Sequence, residues 1–512
     1  MFVTELAKKI ETWRGDSALF IETPLSGRTI SRGKTVDRVH QIANLIKHTS
    51  IGCKPAVGFC FEDGANWVIS AIGTQVACAV AVPIPKEFTS AQISSFVPNL
   101  DLVLTDSREL AKKLSSLFGP NAKFEMKEVE GETLYWIRSG DARRNGLRLP
   151  SNAVGVIHTS GSTDNPKGVV IGDEGLQSVV RSMGDRLKRV GKVRYASVLP
   201  MSLLLEQILG IYIPLFTDGS VAVLPPSVPC YTGTQEDLAP YLMTIKESRA
   251  NFSMVPPSFL TELAKRSTAG SPSTRDQIGA DIEVLATGGA PIEPATLERL
   301  KSDGLEVFQG YGLSENTSVV AWTYPGPNLM GSVGKPLSHN EVRINEEGQV
   351  EVRGSSVFLG YVSRGEFKLR NKDWLTTGDN GYFDDEGGLH ITGRDSNLIV
   401  LSSGRNVAPE WVEGKFKSIP CVKDVLLVGH GRPFLSVIVL VNQNFECEEA
   451  MGIVREYAEK INSELPEFSR VQAIRALPFD DRYYSVSGRV LRKHVMETHS
   501  AVVDEIYSSK KA

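Results

Sequence analysis

Val156-Ile-His-Thr-Ser-Gly-Ser-Thr-Asp-Asn-Pro-Lys-Gly-Val-Val170 is an apolar run that breaks into a loop of glycine and hydroxyl residues and then returns to valines. Thr159, Ser160, Gly161, Ser162 and Thr163 present backbone N–H groups and hydroxyls with little bulk, and Lys167 adds a cation. Such a loop between two strands can wrap a polyphosphate with charge-assisted hydrogen bonds. The lysine precedes its glycine, so the spacing is not that of a Walker A loop. Read alone, the run is equally compatible with a polar surface turn.

Outward from this loop the chain reads as two stretches of strand–helix–strand alternation. One runs from Pro55-Ala-Val-Gly-Phe-Cys-Phe61 through a helical Asn66–Val76 segment to Cys78–Pro85 and Leu102-Val-Leu-Thr-Asp106. The other has short strands at Tyr195–Leu199, Val221–Leu224, Phe252–Val255, Val284–Ala286 and Glu306–Phe308, each closed by proline or glycine punctuation. In parallel sheets the loops after the strand carboxyl ends line the ligand crevice. Residues Gly331 to His390 carry glycine turns and alternating strands, which predicts a small antiparallel unit. The segment after Gly393 has strands at Val425–Val428 and Leu435–Val441 and a helix from about Gly452 to Leu465. The expected fold is therefore α/β. A large N-terminal domain (1–393) of two βαβ-type sheets plus a small antiparallel unit precedes a small mobile α+β C-terminal domain (394–512), with a tight hinge near Arg394–Asn397.

The 512 residues are 41% hydrophobic and balance 56 Lys and Arg against 60 Asp and Glu, a net charge of −4. That balance gives no electrostatic case for a nucleic-acid partner. The six cysteines are scattered without metal-ligand spacing and read as reduced thiols. The first residues do not read as a signal peptide, and no apolar run is long enough to span a bilayer, so a cytoplasmic protein with no integral membrane segment is expected.

Three further blocks accompany the loop: Gly288-Gly-Ala-Pro291; Gln309-Gly-Tyr-Gly-Leu-Ser-Glu315; and Thr377-Gly-Asp379 followed by Gly393-Arg-Asp-Ser-Asn-Leu-Ile-Val-Leu-Ser-Ser-Gly-Arg-Asn-Val-Ala-Pro-Glu410. In this order and spacing, from about Val154 to Leu491, they resemble the adenylate-forming superfamily of acyl-CoA synthetases, adenylating domains and luciferases. The look is closest to long-chain fatty acyl-CoA synthetases.

The resemblance implies ATP, Mg²⁺ and coenzyme A as reactants and cofactors. The Thr159–Lys167 loop would hold the β- and γ-phosphates. Tyr311 and Gly312 would sit with adenine beside Gly289 and Ala290. Ser314 would touch the α-phosphate and Glu315 would bind Mg²⁺, while Asp379 would take the ribose hydroxyls with Arg394 assisting. Lys167, Glu315 and Arg489 are the expected catalytic groups.

At the last position the chain departs from the family. Where a lysine normally follows the glycine of Ser485-Val-Ser-Gly-Arg-Val-Leu-Arg-Lys493, here Gly488 is followed by Arg489, whose planar fork does not overlay an ammonium. Three outcomes stay open: Arg489 serves, Lys493 substitutes, or the first half-reaction is impaired. A serine, Ser396, stands at the hinge where Asp or Lys is common. Gly404 falls in the loop that borders the pantetheine tunnel in relatives.

The segment Pro200-Met-Ser-Leu-Leu-Leu-Glu-Gln207 lacks the aspartate with which amino-acid adenylating domains hold a substrate ammonium, and Leu203 replaces a frequent histidine. An apolar, fatty acid is the expected substrate, although these leucines could equally pack a helix on the sheet. His158 reads as a packing residue. The expected reaction is formation of an acyl-adenylate and then of a coenzyme A thioester, releasing pyrophosphate and AMP. The alternatives are transfer to the phosphopantetheine of a carrier protein, expected to be a separate protein because the stretch after Arg489 is too short for a carrier domain, and a catalytically weakened nucleotide-binding protein.

Overall fold

A computed structural model describes residues 1–49, 54–119, 121–129, 131–138, 147–159, 166–232, 237–266, 272–326, 331–371, 373–402, 405–407, 409–484 and 490–508. Among these, two nine-stranded sheets form the body of the molecule. In the first, Ala153–Thr159, Val80–Pro83, Ala56–Phe59 and Leu102–Thr105 run parallel. In the second, six parallel strands run from Val307–Tyr311 through Val284–Gly288, Phe252–Met254, Arg194–Ala196 and Ser220–Ala222 to Leu19–Thr23. Every residue of Ala56–Phe59, Val80–Pro83 and Leu102–Thr105 is buried, as expected of parallel strands covered on both faces.

One helix explains how the two sheets join. Gly64–Val76 is capped by Asp63, whose carboxylate accepts from the Ala65 amide, and residues 65–75 are all buried. A helix buried all round needs partners all round. At its start a Cβ on Gly64 would lie 2.8 Å from Val223 Cβ beside the second sheet, and further along a Cβ on Gly73 would lie 2.8 Å from Ile42 Cγ2. Both close approaches require glycine. The N-terminal helix Phe2–Glu11 adds Phe2, Leu6 and Ile10 to the same core, each worth about 1.5–3 kcal/mol.

The region 331–390 is split rather than unified. Asn340–Ile344, Gln349–Gly354, Leu375–Phe383 and Leu389–Arg394 make a four-stranded antiparallel sheet. The hairpin Gly360–Ser363/Glu366–Leu369 leaves it and pairs with Lys167–Gly172, extending the first large sheet. Lys335–Pro336 joins the second. Strand alternation alone does not say which sheet receives a strand, so the sequence reading merged all three.

Beyond the short helical turn Asp395–Asn397, the strands Val422–Val428, Leu435–Val441 and Val471–Pro478 form a three-stranded sheet. Leu435, Val437, Val439 and Val441 pack with helices Pro409–Lys417 and Cys447–Glu464; Ile438 and Leu440 pack with Arg492–Thr498 and Ser500–Ser508. The period of two distributes alternate residues to opposite helical layers. Asn397 donates to Glu410 Oε1 at 2.7 Å, tying the connecting turn to the first of these helices.

Candidate active site

The candidate site lies where the second sheet's parallel strands end. Val284–Gly288 runs into Gly289-Ala290-Pro291, and its neighbour Val307–Tyr311 runs into Gly312–Glu315. The two strands touch backbone to backbone: a Cβ on Gly288 would sit 2.6 Å from the Gly310 carbonyl. Gly289 has φ +81°, and Gly289, Ala290 and Pro291 are exposed.

The turn after Tyr311 is tightly folded. A Cβ on Gly312 would overlap the Ser318 carbonyl at 1.5 Å, and Thr317 and Ser318 take φ +48° and +85°. Non-glycine residues hold such angles only when their surroundings fix them. Here Thr317 donates to the Ser356 carbonyl at 2.6 Å, and the Ser356 hydroxyl lies 2.8 Å from both Asn316 Oδ1 and Asn340 Oδ1. Asn316, Thr317 and Ser356 are fully buried. For Asn316 and Thr317 the sequence signal is the polar run Ser314-Glu-Asn-Thr317, one residue beyond the Tyr311-Gly312 pair; Ser356 has none. Ser314 and Glu315 are thus displayed on a rigid shoulder.

Asp379 lies on Leu375–Phe383 and pairs in register with Arg394 on Leu389–Arg394. It is 4% exposed, and both carboxylate oxygens are engaged: the Tyr311 hydroxyl donates to Oδ2 at 2.6 Å and Arg394 Nε to Oδ1 at 3.0 Å. Burial first, then the Asp379 charge, pushes the Tyr311 phenol well above its usual range, so it is a standing donor. Two blocks that lie far apart in the sequence, Gly310-Tyr-Gly312 and Thr377-Gly-Asp379, are joined at one carboxylate.

On the other side, Thr159 and Lys167 are paired residues at the mouth of the hairpin formed by Ala153–Thr159 and Lys167–Gly172. Ser160, Gly161, Ser162, Thr163, Gly404 and Arg489 lie outside the described residues. Lys167 is exposed, and its Nζ stands 6.0 Å from the centre of the Tyr361 ring. The Tyr361 hydroxyl donates to Glu315 Oε1 at 2.9 Å. Sequence reasoning missed Tyr361, because it sits in the hairpin that crosses into the first sheet.

Glu315 Oε2 accepts no hydrogen bond from the described residues, which also hold no cluster of three His, Cys, Asp or Glu able to bind a metal alone. One open carboxylate oxygen suits a hard cation whose remaining ligands are phosphate and water oxygens. His158 is stacked on Phe96, with ring centres 3.7 Å apart, and burial holds its pKa down to about 3. It is a neutral packing group.

Along the acid segment, Leu203 and Leu205 are half-buried and Leu204 joins the core. Leu205 also packs against that core, so the helix-packing alternative holds for Leu204 and Leu205. Glu206 is fully buried, takes a 2.8 Å hydrogen bond from the Tyr195 hydroxyl, and is pushed up to about 8 by burial. It is followed by a π-helical turn at Ile208–Tyr212, a distortion frequent near functional sites.

Residues 6–362 match the AMP-binding enzyme family and residues 396–511 its C-terminal domain. The long-chain-fatty-acid–CoA ligase heimdall of Drosophila melanogaster is 26% identical, over 85% of this chain and 75% of its own. A 2-succinylbenzoate–CoA ligase of Bacillus pumilus is 26% identical, over 77% and 78%. The crystal structure of the anthranilate CoA ligase AuaEII in complex with anthranoyl-AMP superposes with a TM-score of 0.78 at 16% identity, covering 98% of each chain, and shares the fold. The chain belongs to the AMP-binding enzyme family, the adenylate-forming group its four blocks resemble, and is an AMP-forming acid–thiol ligase. No helix among the described residues is long and apolar enough to cross a membrane.

Proposed function

We propose that this enzyme activates an apolar, fatty carboxylic acid with ATP and transfers the acyl group to coenzyme A. The observation that carries the nucleotide half is the Tyr311–Asp379–Arg394 hydrogen-bonded chain, whose Tyr311 ends the strand next to the one that runs into the exposed Gly289–Pro291 turn. It offers a ring face, a ribose-sized pair of acceptors and a cation at one buried carboxylate. Tyr311 takes adenine beside Gly289, Ala290 and Gly312. Asp379 accepts from the ribose hydroxyls with Arg394 at its flank, and Ser314 meets the α-phosphate. Thr159, Ser160, Gly161, Ser162, Thr163 and Lys167 take the outer phosphates, and Glu315 offers its open oxygen to Mg²⁺. When bound, Mg²⁺ neutralises phosphate charge.

In the first step a carboxylate oxygen of the acid attacks the α-phosphorus, and the bond to pyrophosphate breaks. The reaction needs the two reactants oriented, and Lys167 and Arg489 are the cations assigned to the negative charge that accumulates. In the second step a thiolate attacks the acyl carbon and AMP leaves with the bonding electrons. Residues 1–393 form the nucleotide-binding unit and 394–512 the hinged lid that brings Arg489 in.

The leucines of 203–205 and the absence of an aspartate favour an apolar acid, since a substrate ammonium would be uncompensated there. Fatty acyl-CoA ligases among the relatives support the same class, while the succinylbenzoate ligases widen it. The free cysteines at 60, 78, 230, 421 and 447 support a reducing, cytoplasmic setting. Arg489 in the lysine's place favours one further reading, a nucleotide-binding protein with weakened turnover. Pyrophosphate release with fatty, aryl and amino acids, with and without coenzyme A and beside Arg489→Ala, tests these readings. A fatty acyl-CoA product lost in the variant supports the proposal. Adenylate without thioester assigns a carrier-protein acceptor, and nucleotide binding without pyrophosphate release from any acid favours the weakened protein.

A further inference from the structure

We infer that Tyr361 is a positioning residue of the phosphate–metal site, orienting the Glu315 carboxylate and seating the Lys167 ammonium through one side chain. The inference rests on the assignment of Glu315 to the metal above.

Strand register brings the three groups together. Gly360–Ser363 runs antiparallel to Lys167–Gly172, with Tyr361 opposite Val169. Lys167 is two residues from Val169, so it shares that face and is the diagonal neighbour of Tyr361. The ammonium stands 6.0 Å from the ring centre, at the limit of a cation–π contact. From the other side, Phe358 packs edge-on against the Tyr361 ring at 4.6 Å, and its amide donates to the Glu315 carbonyl at 2.8 Å. Backbone and ring therefore fix the phenol against the turn that carries Glu315.

The hydroxyl then donates to Glu315 Oε1 at 2.9 Å, leaving Oε2 as the coordinating atom. A partner that engages one oxygen of a metal-binding carboxylate sets its orientation, and removing such a partner typically costs about 10–100-fold in metal affinity. A strand contributed by the last third of the nucleotide-binding unit thereby locks the lysine of the loop to the acid of the turn.

The test uses the full chain with Mn²⁺ and α,β-methylene-ATP, reading free Mn²⁺ by electron paramagnetic resonance, with melting temperature measured in parallel. Tyr361→Phe keeps the ring and removes only the hydroxyl. We expect Mn²⁺ affinity in the ternary complex to fall about 10–100-fold with melting unchanged, and excess metal to restore turnover. Glu315→Gln should weaken Mn²⁺ at least as much. If Tyr361→Phe binds normally while Glu315→Gln does not, the positioning role is overturned and the Glu315 assignment survives. If neither variant changes Mn²⁺ binding, the assignment of Glu315 fails and the inference with it. Glu315→Asp withdraws the carboxylate from the phenol, so Tyr361→Phe added to it should have no further effect; full additivity would overturn the proposal.

Discussion

The two ends of the candidate nucleotide site are built on different principles. At the nucleoside end, Asp379 is 4% exposed and already bonded to Tyr311 and Arg394, and the adjoining turn is held by Asn316, Thr317 and Ser356. At the phosphate end, Lys167 is exposed and Glu315 keeps one oxygen open. The first end is assembled before any ligand arrives. The second presents charges at the mouth of a hairpin. On the proposed assignment, preorganisation is spent on the part of ATP that does not react, and the ordering of the reacting part is left to binding.

Substitutions at the two ends should therefore differ in kind. The largest effect is expected from Asp379→Ala, which removes the partner of Arg394 and of the Tyr311 hydroxyl. Arg394 is half exposed and keeps its hydration, so the stability cost is that of the Tyr311 hydroxyl left without its acceptor, about 1–3 kcal/mol. Melting temperature should fall, and with the proposed ribose acceptor gone pyrophosphate release should fall by roughly 10²–10³-fold. Lys167→Met should cut pyrophosphate release by about 10²-fold and leave melting unchanged. If it lowered melting as much as Asp379→Ala, the contrast between the ends would collapse. Tyr311→Phe keeps the ring and loses one hydrogen bond, costing about 1–3 kcal/mol, read as a raised KM for ATP.

The smallest effect asks whether the acid segment resembles the nucleoside end. Glu206 is buried, with its pKa raised from 4.5 to about 8. A carboxyl raised on folding favours the folded state fully below its unfolded value, and that contribution is lost as pH rises through 8. Glu206→Gln should flatten the fall in melting temperature between pH 5 and 9 while matching the wild type near pH 5. An unchanged slope would show that Glu206 is not held neutral.

Much of this was legible in the chain. The parallel strands showed as short apolar runs ending in proline or glycine, since strands buried on both faces need no polar alternation. Tyr311, Asp379 and Glu315 could be singled out because the order and spacing of their blocks resemble the adenylate-forming superfamily; each block alone was weak. Two things were not legible. Tyr361 belongs to the site through a strand that changes sheets, which periodicity cannot register. The Asn316–Thr317–Ser356 lattice joins residues some forty positions apart, and its members read as ordinary loop polars until the turn brings them under one roof. Arg489 was visible as a departure in the sequence and lies outside the described residues, so its assignment rests on chemistry alone.

The most direct test of the central claim follows ATP·Mg²⁺ with a saturated fatty acid and coenzyme A by mass spectrometry, in wild type and in Asp379→Ala. The account predicts stoichiometric pyrophosphate, AMP and fatty acyl-CoA from the wild type and almost none from the variant. Acid-independent release of pyrophosphate, or equal product from both proteins, would contradict it.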